Sequence, residues 1–446
     1  MPYWTRLREG VGYQMKRTAR DVVGRIPGFG GLRRKNDIPT LRPYNSGSDE
    51  LHRWYDAAFG TEEKPSSLLE IPWDYVESEQ ENVPFFGVRE YWYPILLSDE
   101  LRANERKCAT VCGDNIVLFR GKSGEPIALE NRCPHRGPML SLGSVNAWDV
   151  GTITCRYHGM TFDKKGDCVA FLADGPNSPA CSKMKVHSYP VEEHGGIIFI
   201  YMGVKEEPVP FLDFMPHARE VLHPGEPVRI RKTINFNHLN SLDNALDLTH
   251  VGCLHRSCSF FGDQKMGGGI QYNVVDDGMG VYGSLRETGG HSGAAHIDDI
   301  RWYMPNLVHH GREFMEGNAH GVFFWWVPRD LGSYTAWMIG SIDRSRVGKL
   351  KAKYLATMLG RALESSNLPG MACFFGGDAP IQVSQGRIAR WDLDQLTRTD
   401  RAVLKCREIM KAAHKADQEE RVKRGLDPLA HRVSCPAAIH GAHTVG

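Results

Sequence analysis

Two short loops constrain this chain more than any other feature: Cys133-Pro134-His135-Arg136-Gly137 and Cys155-Arg156-Tyr157-His158-Gly159. Each pairs one thiol with one imidazole, and each ends on a glycine that lets the backbone turn tightly. Two Cys and two His can bind zinc. Zinc fingers, however, usually pair Cys with Cys and His with His. The mixed pattern, C-x-H and then C-x-x-H, suits a [2Fe–2S] cluster in which two His replace two Cys on one of the irons. That replacement raises the reduction potential, so the cluster accepts electrons from a weaker donor.

The 446 residues imply two or three domains. The net charge of +1 and the lack of a basic stripe argue against a nucleic-acid partner. The longest apolar run, Gly196–Val204, is strand-sized, so no membrane span is expected. The first residues, Met1 to Lys35, are basic and poor in acid. They read as a surface extension rather than a transit peptide, and no secretory signal is apparent. Eleven Cys is an odd number. Cys108, Cys112, Cys168, Cys181, Cys253, Cys258, Cys373, Cys406 and Cys435 lie outside the two loops, with spacings unlike a disulfide framework. They are expected to be reduced and the protein cytoplasmic.

The chain divides into an N-terminal extension (1–84), a cluster-bearing domain (85–205) and a third region (206–446). In the second, short apolar strands alternate with turns such as Lys122-Ser123-Gly124-Glu125 and Lys164-Lys165-Gly166-Asp167. That pattern predicts a small all-β domain with both loops at its tip. In the third, strands are expected at Val228–Phe236, Gln271–Tyr282, Ile300–Pro305, Gly321–Pro328 and Tyr334–Ser341. Helices are expected at Asn237–His255, Leu350–Ser365 and Thr399–Val422. Strands without a βαβ rhythm imply an antiparallel sheet with packed helices, so the fold class is α+β. There is no Walker sequence and no G-x-G-x-x-G after a strand. Electrons must therefore come from another protein.

A second constellation runs from Asp243 to His255. Asp247 and His250 are three residues apart and would share a helix face. His250 and His255 would splay on a straight helix, but Gly252 between them can relax it. Two His and one carboxylate make the facial triad of non-haem Fe(II) oxygenases. Asp247 is one candidate for the third ligand. Asp378, in a Gly-flanked stretch further along, is the preferred one. Asp247 would then accept a hydrogen bond from the other nitrogen of His250. The aromatic strand segments Trp302-Tyr303 and Phe323-Phe324-Trp325-Trp326 could line a pocket, or simply pack in the core.

From about Phe85 to Gln385 the chain resembles the terminal oxygenase (α) subunits of Rieske non-haem iron oxygenases. C-P-H-R-G, C-x-Y-H-G, D-N-x-x-D-x-T-H-x4-H and the later Gly-Asp segment occur in family order. The resemblance implies that Cys133 and Cys155 bind one iron of a Rieske cluster and His135 and His158 the other. It implies a mononuclear iron on His250, His255 and Asp378. It makes Asp247 a carboxylate bridging two subunits, with electrons passing from His158 of a neighbour to Asp247 and His250. A homotrimer, or a multiple of one, follows.

O2 is then the co-substrate, and NAD(P)H acts only through a separate reductase, with or without a ferredoxin. The expected activity is hydroxylation or oxidative demethylation of a small aromatic or cyclic compound, with monooxygenation ahead of dioxygenation. Alternatives are ring cis-dihydroxylation and an electron carrier without oxygenase activity. Two residues depart from the family pattern. Met160 stands where most members carry Trp, and Gly377 replaces an acidic residue before Asp378.

Overall fold

The computed structural model describes residues 82–426, apart from 176–177, 206, 216, 223–224, 248–249, 251–253, 255–269, 277–279, 288–299, 311–318 and 365–374. His255 and the expected extension up to residue 81 lie outside the described residues.

Three small antiparallel sheets come first. Strands β1 (Trp92–Leu97), β2 (Arg106–Val111), β3 (Asp114–Arg120), β4 (Pro126–Glu130), β5 (Ser144–Val145) and β6 (Ile153–Thr154) are followed by β7 (Met160–Phe162), β8 (Cys168–Phe171), β9 (Ser188–Tyr189), β10 (Val191–His194) and β11 (Ile197–Tyr201). They assemble as β1-β11-β10, β2-β3-β4-β9 and β5-β6-β7-β8. The Ser123-Gly124 turn joins β3 to β4, and the Lys165-Gly166 turn joins β7 to β8. Gly124 and Gly166 hold φ of +89° and +78°, the left-handed geometry such turns require.

One larger sheet follows, built from β12 (Glu226–Ile234), β13 (Ile270–Asp276), β14 (Gly280–Glu287), β15 (Ile300–Tyr303), β16 (Leu307–His310), β17 (Ala319–Asp330) and β18 (Ser333–Ile342). Its order is β12-β18-β17-β16-β15-β14-β13, antiparallel at every pairing. The longer helices described in this half are α1 (His238–Leu246), α2 (Lys349–Glu364), α3 (Phe375–Ser384) and α4 (Arg401–Lys423). The expected strand Gln271–Tyr282 falls across two strands, most of β13 and the start of β14.

Strand alternation sorts the side chains into layers. In the β3–β4 pair, Val117, Phe119, Ile127 and Leu129 face a core that includes Cys133, Cys155 and Met160. Ile116, Leu118 and Ala128 face the other way, into a core shared with β1, β11 and one face of the large sheet. That face presents Tyr303, Leu307, Phe323, Trp325, Val327, Trp337 and Ile339. The opposite face presents Trp302 and Val308 to Leu239, Leu242 and Leu246 of α1. Further along it presents Ile230, Phe324 and Met338 to Ala352 of α2. The aromatic runs therefore split by parity: Tyr303, Phe323 and Trp325 belong to one layer, and Trp302, Phe324 and Trp326 to the other. The large sheet stands between the cluster-bearing loops and α1.

Helix α1 is shorter than the expected Asn237–His255. Asn237 caps it: its side-chain oxygen accepts from Leu239 N, 3.1 Å, and its amide donates to Phe85 O at 2.9 Å and Leu331 O at 2.7 Å. Asp247 ends it with φ −90° and ψ 87°, outside the helical region. The break turns the Asp247 carbonyl away from the helix axis. Asp247 is thus a C-cap, and it does not share a helical face with His250.

Candidate redox and metal sites

The two Cys/His loops have matching backbones. Cys133 N donates to Pro138 O (2.9 Å) and Gly137 N to Cys133 O (2.8 Å). Cys155 N donates to Met160 O (2.7 Å) and Gly159 N to Cys155 O (3.0 Å). Gly137 and Gly159 sit at φ +82° and +71°. A Cβ at Gly159 would lie 2.6 Å from Leu172 Cβ. The loop closes against the strap after β8, where Leu172 N donates to Gly159 O (3.1 Å) and Ala173 N to His158 O (3.3 Å).

These loops bring the four donors together. Both thiols are buried. They are hydrogen-bonded to each other, which lowers Cys155 to about 6 and raises Cys133. Backbone N–H groups of Tyr157 and His158 also favour a Cys155 thiolate, the form that binds iron. The His135 and His158 rings lie 4.8 Å apart between centroids. His158 Nδ1 is buried with no hydrogen-bond partner among the described residues. A buried, unpaired imidazole nitrogen beside a second imidazole and two thiols fits a cluster ligand. Among the described residues no three His, Cys, Asp or Glu side chains converge on one ion. A two-iron cluster asks for only two protein ligands at each iron.

Met160 is fully buried in the core behind the loops. Its departure from Trp changes packing beneath the cluster rather than its solvent rim. Tyr157 forms part of that rim: it is 56% exposed, its ring lies 3.8 Å from that of His158, and Arg136 sits over it at 5.6 Å.

The second site lies at the broken end of α1. His250 Nδ1 is hydrogen-bonded to the main-chain carbonyl of Asp247. The predicted acceptor residue is therefore used through its backbone oxygen. His250 Nε2 lies 3.5 Å from Asp378 Oδ1. Asp378 sits in the first turn of α3, where the helix dipole favours an anion. The Gly-flanked stretch of the sequence is thus helical here. Helix α3 is pinned to α1: Asn240 Nδ2 donates to Gln382 O and Gly386 O, both 3.2 Å, and Ser241 bonds the Gln382 side chain.

Asn244, which sequence reasoning passed over, joins this group. Its Nδ2 is 3.3 Å from Asp378 Oδ1 and 3.5 Å from His250 Nε2. The usable signal was its position one turn before Asp247. Histidine nitrogen and carboxylate oxygen facing each other are a donor set for a divalent first-row metal. With His255 outside the described residues, two of the three expected ligands can be placed, and they meet.

The helix carrying Asn244 is anchored from behind. Asp243 accepts from Arg407 Nη2 (2.7 Å) and Trp391 Nε1 (2.8 Å). Burial pushes Asp243 up to about 6, with Arg407 opposing the rise.

Comparison with known proteins adds ancestry. The model of the Rieske [2Fe-2S] domain matches residues 91–190. The oxygenase subunit of 3-chlorobenzoate-3,4-dioxygenase from Comamonas testosteroni is 33% identical over 173 residues, 38% of each chain. The oxygenase subunit of a tert-butanol monooxygenase / tert-amyl alcohol desaturase from Aquincola tertiaricarbonis is 26% identical over 362 residues, 73% of each chain. The chain therefore spans well under half the length of the first of these relatives. A fluorene-bound oxygenase variant in complex with ferredoxin, from carbazole 1,9a-dioxygenase, superposes with TM-score 0.60 at 24% identity, covering 76% of this chain and 94% of that one. That likeness establishes a shared fold.

Proposed function

We propose that this chain, which carries a Rieske [2Fe–2S] domain and has terminal oxygenase subunits as its relatives, is itself the terminal oxygenase of a multicomponent Rieske system. The observation that carries the proposal is the meeting of His250 Nε2 and Asp378 Oδ1 at 3.5 Å, on the far side of the large sheet from Cys133, His135, Cys155 and His158. In this reading His250, His255 and Asp378 hold a mononuclear Fe(II). The bound iron and cluster supply O2 activation and single-electron transfer, respectively.

The chain's own residues have distinct tasks. The Asp247 carbonyl fixes the His250 tautomer, which leaves Nε2 as the lone-pair nitrogen. Asn244 steadies the Asp378 carboxylate with an amide hydrogen. The sheet keeps the two centres of one chain apart, which supports electron transfer between subunits of a homotrimer, with Asp247 near the crossing. Trp326, partly buried on the sheet face toward α1 and α2, offers apolar surface for a small cyclic substrate, while Trp302 and Phe324 on that face are packed in the core. Electrons enter from a separate reductase; the carbazole relative, solved with a ferredoxin, supports such an intermediary here.

Hydroxylation or oxidative demethylation is the first reading; the monooxygenase relative, which aligns over 73% of both chains, supports it. Ring dihydroxylation is the second, supported by the chlorobenzoate relative. Turnover of a compound panel under 18O2 with a surrogate reductase separates them. One labelled oxygen in the product, or an unlabelled demethylated product with formaldehyde released, supports the first, and two labelled oxygens in the product support the second. Absence of O2-dependent product, with a reducible cluster, would leave an electron carrier.

A further inference from the structure

Cys168 and Cys181 play no part in either site, yet their sulfurs lie 3.2 Å apart, thirteen positions apart in the chain. Both side chains are partly accessible. Their backbones are held in place through Met184: Cys168 N donates to Met184 O (3.2 Å), and Met184 N to Cys181 O (3.3 Å). Cys168 opens β8, and Cys181 lies in the short turn where the chain returns to it. Between them runs the strap that covers the cluster loop. It places the Phe171 ring 5.3 Å from His135, and it donates from Leu172 N and Ala173 N to the carbonyls of Gly159 and His158.

We propose that Cys168 and Cys181 form a dithiol–disulfide modification site, oxidised by hydrogen peroxide, whose disulfide locks the strap over the cluster loop. The sulfurs need to approach by only about 1 Å to reach bonding distance. Cys168 donates its S–H to Cys181, and burial pushes Cys168 up to about 12, so Cys181 is assigned as the attacking sulfur. Its sulfur takes one peroxide oxygen, the O–O bond breaks, and the departing oxygen leaves as water. Cys168 then attacks the resulting sulfenic sulfur, the S–O bond breaks, and a second water leaves. Two thiols and one peroxide thus give one disulfide and two waters, with two electrons passing from sulfur to oxygen. Peroxide is what two-electron reduction of O2 yields when it runs without substrate oxidation, so an oxygenase meets this oxidant. The site itself does not depend on that reading.

A cross-link at the base of the strap limits the local opening through which the cluster loses iron. The test uses holoprotein with an intact cluster. Half is exposed to hydrogen peroxide and then catalase, half is kept in dithiothreitol, and the remaining cluster is quantified by absorbance. Free thiols are alkylated for peptide mapping, and iron release to a chelator is followed per remaining cluster. We expect a Cys168–Cys181 linked peptide, lighter by two hydrogens, and iron release slowed roughly threefold or more. Dithiothreitol should reverse the slowing, and Cys181→Ser should abolish it. Full alkylation of both cysteines after peroxide, or equal release from oxidised and reduced wild-type protein, overturns the proposal without bearing on oxygenase activity.

Discussion

His250 donates its Nδ1 proton to the main-chain carbonyl of Asp247, and this single bond aims Nε2 at Asp378. A carbonyl only accepts, so the tautomer is fixed by the backbone. The bond ties the imidazole to the end of a helix through a main-chain oxygen. The orientation depends on α1 stopping at Leu246.

The pair sets the first prediction. Asp378→Ala should remove the mononuclear iron and turnover but leave the cluster untouched. Iron per chain should fall from about three to about two, with an unchanged visible spectrum. Asp378→Ala protein that keeps its third iron would mean the carboxylate ligand lies elsewhere.

The loop glycines should differ in tolerance. Gly159→Ala places a Cβ 2.6 Å from Leu172 Cβ at φ +71°, whereas at Gly137 the nearest atoms, 3.0 Å away, belong to the movable Arg132 guanidinium. Both pay left-handed strain, about 1 kcal/mol or more. Only Gly159→Ala also collides with the strap, so it should lose more cluster absorbance than Gly137→Ala on purification.

His238 sets a pH dependence. It is fully buried, neither ring nitrogen has a partner among the described residues, and burial pushes it down to about 3. The unfolded chain binds this proton near 6.5, while the folded chain refuses it until about pH 3. Its stability contribution is complete above 6.5 and is lost progressively as pH falls from there toward 3. At pH 5 the loss is about 2 kcal/mol. His238→Leu should therefore narrow the gap in urea-unfolding free energy between pH 8 and pH 5 by that amount. An unchanged gap would show that the ring is charged or solvated in the native state.

Arg407 and Asp243 form the buried tie behind the proposed metal site. Arg407→Leu strands a buried carboxylate and should cost about 3 kcal/mol or more. Adding Asp243→Asn should restore part of that loss, as measured by denaturant titration of the single and double variants.

Local motifs were legible in the sequence because their chemistry is local. Cys133, His135, Cys155 and His158 stand in two short loops whose glycines announce the turns. Three features depended on long-range structure instead. The apolar and polar periodicity through Leu246 continues past Asp247, so nothing nearby marks the helix end. Helix α3 hides behind Gly376, Gly377 and Pro380, poor helix formers that packing against α1 overrides. Strand β16 is only four residues, Leu307–His310, and gains its identity from pairing with β15 and β17. Which of Phe323, Phe324, Trp325 and Trp326 faces the site was a question of parity, and the register with β18 answers it.

The layered order has a consequence for how such a protein is switched on. If the proposed iron site and the cluster exchange electrons between subunits, the large sheet is insulation and a solitary chain is an open circuit, its electron store and its oxygen chemistry wired to different terminals. On that proposal, contact with another copy closes the loop. Specific activity should then rise with protein concentration in the range where subunits associate, while cluster reduction should be indifferent to dilution.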